Sequence, residues 1–360
     1  MDGIGFEEYA NYRRYTHKKV LFVISCLLLS LILLGLSVYI GARDVEFFDV
    51  YRYIVKHLAG VQYITGSNEA ISDFVICEVR LPRAVFALIA GAGLAVGGSV
   101  MQNVMNNPLA DPYTTGISSG ACFGVAVAVI LGITITLSSQ FENLGVILNA
   151  FIFALVPMGF ILLVGSRIQT SPATLILTGV AVSYMLNAFT TVLMMTTNEE
   201  TLAVVYKWQV GSLSEITWSS VPLMAIINLV GIFIAMYLAR KLNVLALGDD
   251  SAKALGLNVK NLRLICLMVI SFMVASVVCY AGIISFVGLI SAHIVRILID
   301  SDNRFVIPAS AAIGALFMIS ADTLARLLSP QDAIPVGVML SFIGSPIFLY
   351  LIIKQKRTVW

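Results

Sequence analysis

Leu264–Ile299 reads LICLMVISFMVASVVCYAGIISFVGLISAHIVRILI, a run of 36 residues broken only by His293 and Arg296. A helix crosses a hydrocarbon core of roughly 30 Å with about 20 residues, so the run is too long for one crossing and short for two. Gly282 and Gly288 offer a turn, and the charge balance decides. Lys and Arg concentrate on the cytoplasmic side of membrane proteins. With two short crossings here the chain has ten helices, both termini lie inside, and 15 of the 22 basic residues fall inside. With one crossing everything downstream inverts and the split becomes 11 to 11. Two crossings keep the bias, so ten helices are expected.

The other uncharged runs are Val20–Ala42, Ala84–Ala110, Pro112–Phe141, Asn143–Ser166, Ile168–Asn198, Ile216–Ala239, Phe305–Ala321 and Ala333–Ile353. Composition points the same way: 360 residues, 59% hydrophobic, 12% charged, mean hydropathy +0.94. Soluble domains are about a quarter charged. The expectation is an all-α polytopic protein of the cytoplasmic membrane. Residues 1–19 form a cytoplasmic segment, 20–353 one ten-helix domain, and 354–360 a cytoplasmic tail. A net charge of +2 gives no footing for nucleic acid; the lipid bilayer is the expected surrounding. Lys18-Lys19 before an apolar run imitates a signal peptide. Val20–Ala42 is too long for a signal core, however, and ends without a small-x-small site. Cys26, Cys77, Cys122, Cys266 and Cys279 show no CxxC spacing and no pairing with His, and read as packing residues rather than a disulfide frame or metal site.

The polar intervals carry the functional questions. Leu242–Arg263 (LNVLALGDDSAKALGLNVKNLR) reads as a short helix outside the membrane, capped by Asp249 or Asp250 and ended by Gly256 in the left-handed conformation. Its small side chains (Ser251, Ala252, Ala254) suit either a solvated loop or a docking helix for a soluble partner. Phe47–Leu58 is an amphipathic interfacial helix, with His57 on its polar face. Arg80 and Arg83 bracket Pro82 at the outer mouth of the second crossing, where arginines anchor to headgroups and helix ends or grip carboxylates of an external partner. Ala90–Ser99 (AGAGLAVGGS) permits close backbone approach. Helix 5 carries Thr178, Ser183, Tyr184, Asn187, Thr190 and Thr191. Bonds to their own backbone explain several of these, and a polar-lined path explains the set.

Three alternatives fit less well. Gly116-Ile117-Ser118-Ser119-Gly120 matches G-x-S-x-G, but a nucleophile elbow needs a strand-turn-helix setting, and its only plausible base, His293, has no carboxylate partner. An ion-coupled secondary transporter needs buried charges, and Asp322 stands nearly alone, with Arg326 four residues on as its natural partner. No G-x-x-x-x-G-K-[ST] is present, so the chain is not expected to hydrolyse ATP itself.

Several motifs together resemble the permease subunits of ABC importers for vitamin B12, iron-siderophores and haem, the FecCD-type permeases. They are Arg80-Leu81-Pro82-Arg83; Met101-Gln102 with Asn107-Pro108-Leu109-Ala110; Gly116 to Ala121; Leu177 to Ala181; Trp208 to Leu213; Leu247-Gly248-Asp249; Phe286 to Leu289; Ala321-Asp322 to Arg326; and Ile334 to Gly337. Ala292 precedes His293 where the family usually has Pro. The resemblance implies ten helices per subunit and a homodimer with the pathway at its two-fold axis. It also implies two cytoplasmic ABC ATPases that use ATP and magnesium, an extracytoplasmic binding protein, and no cofactor on this chain. By residue, it implies docking of the binding protein at Arg80, Arg83 and Arg326. ATPase coupling falls to Gly248, Asp249, Asp250, Ala252, Leu255, Gly256 and Leu257. A cytoplasmic gate falls to Asn107 and Leu109, with Ser171 as a second gate, and pathway lining to Ser183, Asn187 and Thr190. The expected cargo is a ferric chelate, with haem or cobalamin as the alternatives, moved by alternating access.

Overall fold

The computed structural model describes residues 2–41, 45–61, 63–135, 142–167, 171–329 and 334–354. Its helices are, in order, α1 (Asp2–Tyr39), α2 (Phe47–Leu58), α3 (Asn68–Phe74), α4 (Leu81–Val104), α5 (Ile117–Leu131), α6 (Glu142–Arg167), α7 (Pro172–Met195), α8 (Glu199–Gln209) and α9 (Val221–Leu245). After these come α10 (Asp249–Ala254), α11 (Val259–Ala281), α12 (Val287–Ile299), α13 (Asn303–Leu328) and α14 (Val336–Lys354). Among the described residues seven helices are long and apolar enough to cross a membrane, and three shorter apolar ones (Ile117–Leu131, Val287–Ile299, Val336–Leu351) accompany them.

The opening run divides as expected. Gly282 (φ +71°) ends α11, and Phe286 (φ +70°) precedes α12. The break is held from outside. Ser212 N donates to Ala281 O at 2.8 Å, and Gly337 N donates to Gly211 O at 3.1 Å. A Cβ on Gly211 would strike Ile283 O, and one on Gly282 would strike Trp208 O. Glycine is needed at both positions because backbones touch there.

Several boundaries differ from the sequence reading, and charged residues inside helices account for most of them: α9 runs past Arg240 and Lys241 to Leu245, and α11 starts at Val259, before Arg263. The second crossing begins not at Ala84 but at Asn68, where Ser67 Oγ accepts from Ala70 N at 3.1 Å; it then runs to Val104. The ninth run extends past Ala321 to Leu328, so Asp322 and Arg326 lie inside α13. A search for uncharged residues stops at charges that the fold neutralises internally. Between α3 and α4 a π-helical turn, Val75–Arg80, widens the helix, and Leu81 N donates to Ile76 O five residues back. In that pattern the Cys77 carbonyl would pair with residue 82, but Pro82 has no N–H. The Trp218 indole supplies the missing donor at 2.8 Å.

Helix α4 is the centre of the bundle, since its small-residue run lets three neighbours reach its backbone. A Cβ on Gly91 would collide with Gly314 O of α13, one on Gly93 with Asn228 of α9, and one on Gly98 with the Gly288 backbone of α12. Polar ties add to this contact: Gln102 Nε2 donates to Leu289 O at 3.3 Å and Arg296 Nη2 to Ser99 O at 3.1 Å. The five cysteines are free thiols.

Gly98→Leu should therefore force α4 and α12 apart and cost about 1–3 kcal/mol, read as a lower melting temperature of the purified protein. Gly159→Ala, where a Cβ meets nothing within 4 Å, should leave that temperature unchanged or raise it.

Candidate translocation and coupling sites

The two ends of the bundle carry different chemistry. At one end α10 follows Gly248 (φ +96°), which occupies the N-cap position expected of Asp249 or Asp250. Asp249 is drawn away by Arg263: Nη1 reaches Oδ2 and Nη2 reaches Oδ1, each at 2.6 Å. Arg263 is wholly buried, and its Nε donates to Val104 O, the last residue of α4, at 3.0 Å. A planar fork suits this bidentate clip. The Arg263 hydrogen bonds hold Asp249 below its ordinary value of 3.8, with partial burial opposing them. The stabilisation from this clip is thus complete above that pH and is lost only as pH falls through the lowered value.

Helix α10 ends as the sequence indicated. Gly256 has φ +80°, Gly256 N donates to Lys253 O at 2.9 Å, and Leu257 N to Ala252 O at 3.0 Å, which is the Schellman arrangement. Ala252 is buried against the bundle, whereas Asp250 and Leu255 are exposed and Leu257 is half-buried. Asp250 pairs with Lys253, at 3.5 Å on the surface. Two residues past Val104, Asn106 turns the chain at φ +46°. Asn107 Oδ1 then accepts from Leu109 N at 2.9 Å, presenting Leu109 at 48% exposure. Ser171 caps α7, its Oγ accepting from Thr174 N at 3.1 Å, and is exposed.

The opposite end holds the three arginines, and none is an exposed side chain. Arg80, Arg83 and Arg326 are 5%, 8% and 6% exposed. Arg83 donates through Nε (2.9 Å) and Nη2 (2.7 Å) to Asp322 Oδ1, and Arg326 Nε reaches Asp322 Oδ2 at 3.1 Å. Arg326 Nη1 also donates to Ser37 O and Ile40 O, both at 2.7 Å, while its Nη2 meets Ser37 Oγ. Arg80 Nη1 donates to Val38 O (3.1 Å) and Tyr39 O (2.8 Å). Arg80 and Arg326 thus close the end of α1, the helix-end anchoring open to arginines at this level, while Arg83 turns to Asp322. A carboxylate buried between α4 and α13 requires its cations, and the last carbonyls of α1 require donors.

Near the α11–α12 break lies an open cavity of about 550 Å³, lined by Gln209, Val210, Ile283, Ser285, Ser341 and Phe342 among others. Sequence reasoning missed these residues, although the glycines of WQVGSL, AGIISF and IPVG that meet here were visible signals. It also missed Arg263, an arginine set directly against an apolar run. On α7, Asn187 is exposed, Ser183 half-buried and Thr190 buried. Thr178, Ser183, Thr190 and Thr191 each donate to the carbonyl four residues back, at 2.7–2.9 Å. The local reading accounts for those hydroxyls. Ser118 opens α5 without any preceding strand, and His293 is buried on α12 with neither ring nitrogen hydrogen-bonded. That arrangement holds no nucleophile–base pair.

The FecCD transport family matches residues 27–354. The chain is 32% identical to the Fe(3+)-citrate import system permease protein YfmD of Bacillus subtilis, over 97% of this chain and 99% of that one. It is 36% identical to the cobalamin import system permease protein BtuC of Halobacterium salinarum, over 78% and 74% of the two chains. A solved inward-facing conformation of a metal-chelate type ABC transporter superposes with a TM-score of 0.78 at 29% identity. It covers 92% of this chain and 99% of its own.

Replacing Asp322 with Leu strands the buried Arg83 guanidinium and removes the counter-charge of Arg326, and Arg83→Leu strands the carboxylate in part. Each should cost about 3–5 kcal/mol. The double variant should cost less than their sum, and a double-mutant cycle on thermal unfolding measures the difference.

Proposed function

Given that the chain belongs to the FecCD transport family, we propose that two copies of it form the pathway of an importer that carries a ferric chelate into the cell by alternating access. The family and the relatives make it a permease subunit of an ABC importer. It is a multi-pass protein of the cell membrane and a transport subunit rather than an enzyme, with the ATPase on a separate subunit. In our reading residues 20–353 form one domain of ten crossings, with α10 and both termini inside and Arg80 at the outer face. Two ABC ATPases use ATP and magnesium, and an extracytoplasmic binding protein delivers the cargo. No cofactor on this chain takes part in the transport step.

The observation that carries this reading is the Arg263 clip. It joins Asp249, the first residue of α10, to Val104 O at the end of α4, only a few residues before Asn107 and Leu109. A push on α10 from an ATPase cleft is transmitted by a buried, bidentate arginine to the segment that closes the inner mouth. Gly248 and Gly256 bound the lever, Ala252 seats it, and Asp250, Leu255 and Leu257 complete the docking surface. Ser171, at the start of α7, is the second gate residue. Asn187 and the residues of the cavity beside Gln209 line the path, with Ser183 and Thr190 behind it. Closure and opening are then two packings of the same subunits, biased by nucleotide.

A ferric chelate is favoured because the ferric-citrate relative matches nearly end to end and the superposed transporter is of metal-chelate type. Haem and cobalamin are the alternatives, and the small, neutral pathway side chains do not select among them. Docking of the binding protein rests on Arg80, Arg83 and Arg326, acting through their field. Arg83 and Arg326 share the one carboxylate of Asp322, and the positive field of this arginine cluster attracts an acidic partner.

Arg263→Met should leave the complex assembled and its ATPase active while lowering uptake of a ferric chelate at least about tenfold, the scale of one lost charge-assisted bond of about 1.5–3 kcal/mol. Equal loss of hydrolysis and transport, or of neither, would count against the lever. Arg80→Gln should weaken binding-protein docking at low salt and flatten its salt dependence. Unchanged docking at low ionic strength would remove the role of the field.

A further inference from the structure

His57 on the last turn of α2, Asp73 on α3 and Cys77 in the π turn take no part in the pathway or the lever, yet the fold brings them together. Their donor atoms all lie within 4.8 Å of one another. His57 Nδ1 is 2.8 Å from Asp73 Oδ2, and Cys77 Sγ is 3.9 Å from Asp73 Oδ1. A tetrahedral zinc ion holds its donors roughly 3.3–3.8 Å apart, so small side-chain rotations admit one. Asp73 and Cys77, four residues apart on one helical face, present a carboxylate and a thiol to the same point, and α2 lowers an imidazole over it.

Two further observations point to a ligand rather than to a simple ion pair. His57 Nε2 lies 3.4 Å from Glu78 Oε1. That is the outer carboxylate which, in metal sites, fixes the tautomer so that the other ring nitrogen is free to ligate. The neighbouring groove, of about 710 Å³, is lined by His57, Tyr63 and Asp73. The Tyr63 hydroxyl there is buried with no hydrogen-bond partner. An ion pair between His57 and two carboxylates leaves the Cys77 thiol a single long contact, 3.9 Å to Asp73 Oδ1, and leaves that hydroxyl without a partner. The mixed nitrogen, oxygen and sulfur set matches a borderline cation, not calcium or magnesium.

We propose that His57, Asp73 and Cys77 form a binding site for a zinc-class divalent cation, with Glu78 orienting the imidazole and Tyr63 or a water completing the shell. On binding, the Cys77 thiol releases its proton to solvent and the thiolate takes up the metal. The ion pins α2 to the π turn that leads directly into Arg80. In this proposal His57 and Cys77 take a role beyond the polar-face and packing roles that the sequence gives them. The contact of α2 with α3 and the π turn makes the pattern; neither segment holds it by itself.

Titration of the full-length, tag-free protein in detergent with Zn²⁺ should show one ion per chain. Co²⁺ should give a tetrahedral spectrum with a thiolate-to-metal charge-transfer band. Cys77→Ser should abolish that band, His57→Ala should weaken Zn²⁺ binding by about 100-fold, and Glu78→Gln should weaken it by about 10-fold. Zn²⁺ should raise the melting temperature of the parent protein and not of Cys77→Ser, while the metal-free melting temperatures of the two agree. A charge-transfer band that survives Cys77→Ser overturns the site. So does Zn²⁺ affinity in the His57→Ala/Cys77→Ser variant equal to that of the parent.

Discussion

Asp322 has no exposure, and a bare carboxylate at that depth is costly, so the surrounding helices must supply cations. Arg83 comes from α4 and Arg326 from α13, which fixes the rotation of both helices about their axes. The same Arg326 reaches on to the last carbonyls of α1, and Arg80 joins it there. Helix α1 packs along α13, with Phe22 and Val23 against Val306 and Ala309 and Lys19 beside Asp300. Its far end is held by guanidiniums that close its carbonyl end, where a positive charge also meets the negative pole of the helix dipole.

The other end of the bundle repeats the device. Arg263 and Arg296 are buried arginines that donate to backbone carbonyls of α4, at Val104 and Ser99. Arg263 differs in having its carboxylate partner on a short helix outside the bundle. That makes α4 a rod gripped at both ends: by the Asp322 cluster at one and by the α10 clip at the other. Between the grips the Ala90–Ser99 stretch touches α13 and α12 backbone to backbone and takes the Asn228 side chain of α9 against Gly93. A rod so constrained transmits displacement instead of absorbing it, as an importer whose energy enters at one face and whose cargo enters at the other requires.

What the sequence made legible was what local rules govern. The break in Leu264–Ile299 follows from length and glycine, the packing role of Ala90–Ser99 from residue size, and the end of α10 from Gly256. The Asp322–Arg326 pair follows from helical spacing. What stayed hidden depends on partners remote in the chain. Arg83 lies 239 residues from Asp322 and Arg263 lies 159 from Val104, distances over which no periodicity carries information. The same blindness produced the errors. Counting charges as exposed cut several helices short, and taking Asp249 as a cap overlooked a stronger claim on its carboxylate. His57 and Cys77 each look ordinary until α2 is laid on the π turn.

The widened turn at Val75–Arg80 is in effect one surplus residue let into a continuous helix. Without it, everything N-terminal to Ile76 would swing by about 100° around the axis, carrying Asp73 away from His57. Trp218 would lose its carbonyl, and Pro82 would face an ordinary α-helical carbonyl that its ring crowds. A homologous chain one residue shorter in this stretch would thus keep the membrane-embedded half of the helix unaltered while presenting a different outer lip. A single codon's gain or loss is enough to re-aim that lip without disturbing the rod beneath it.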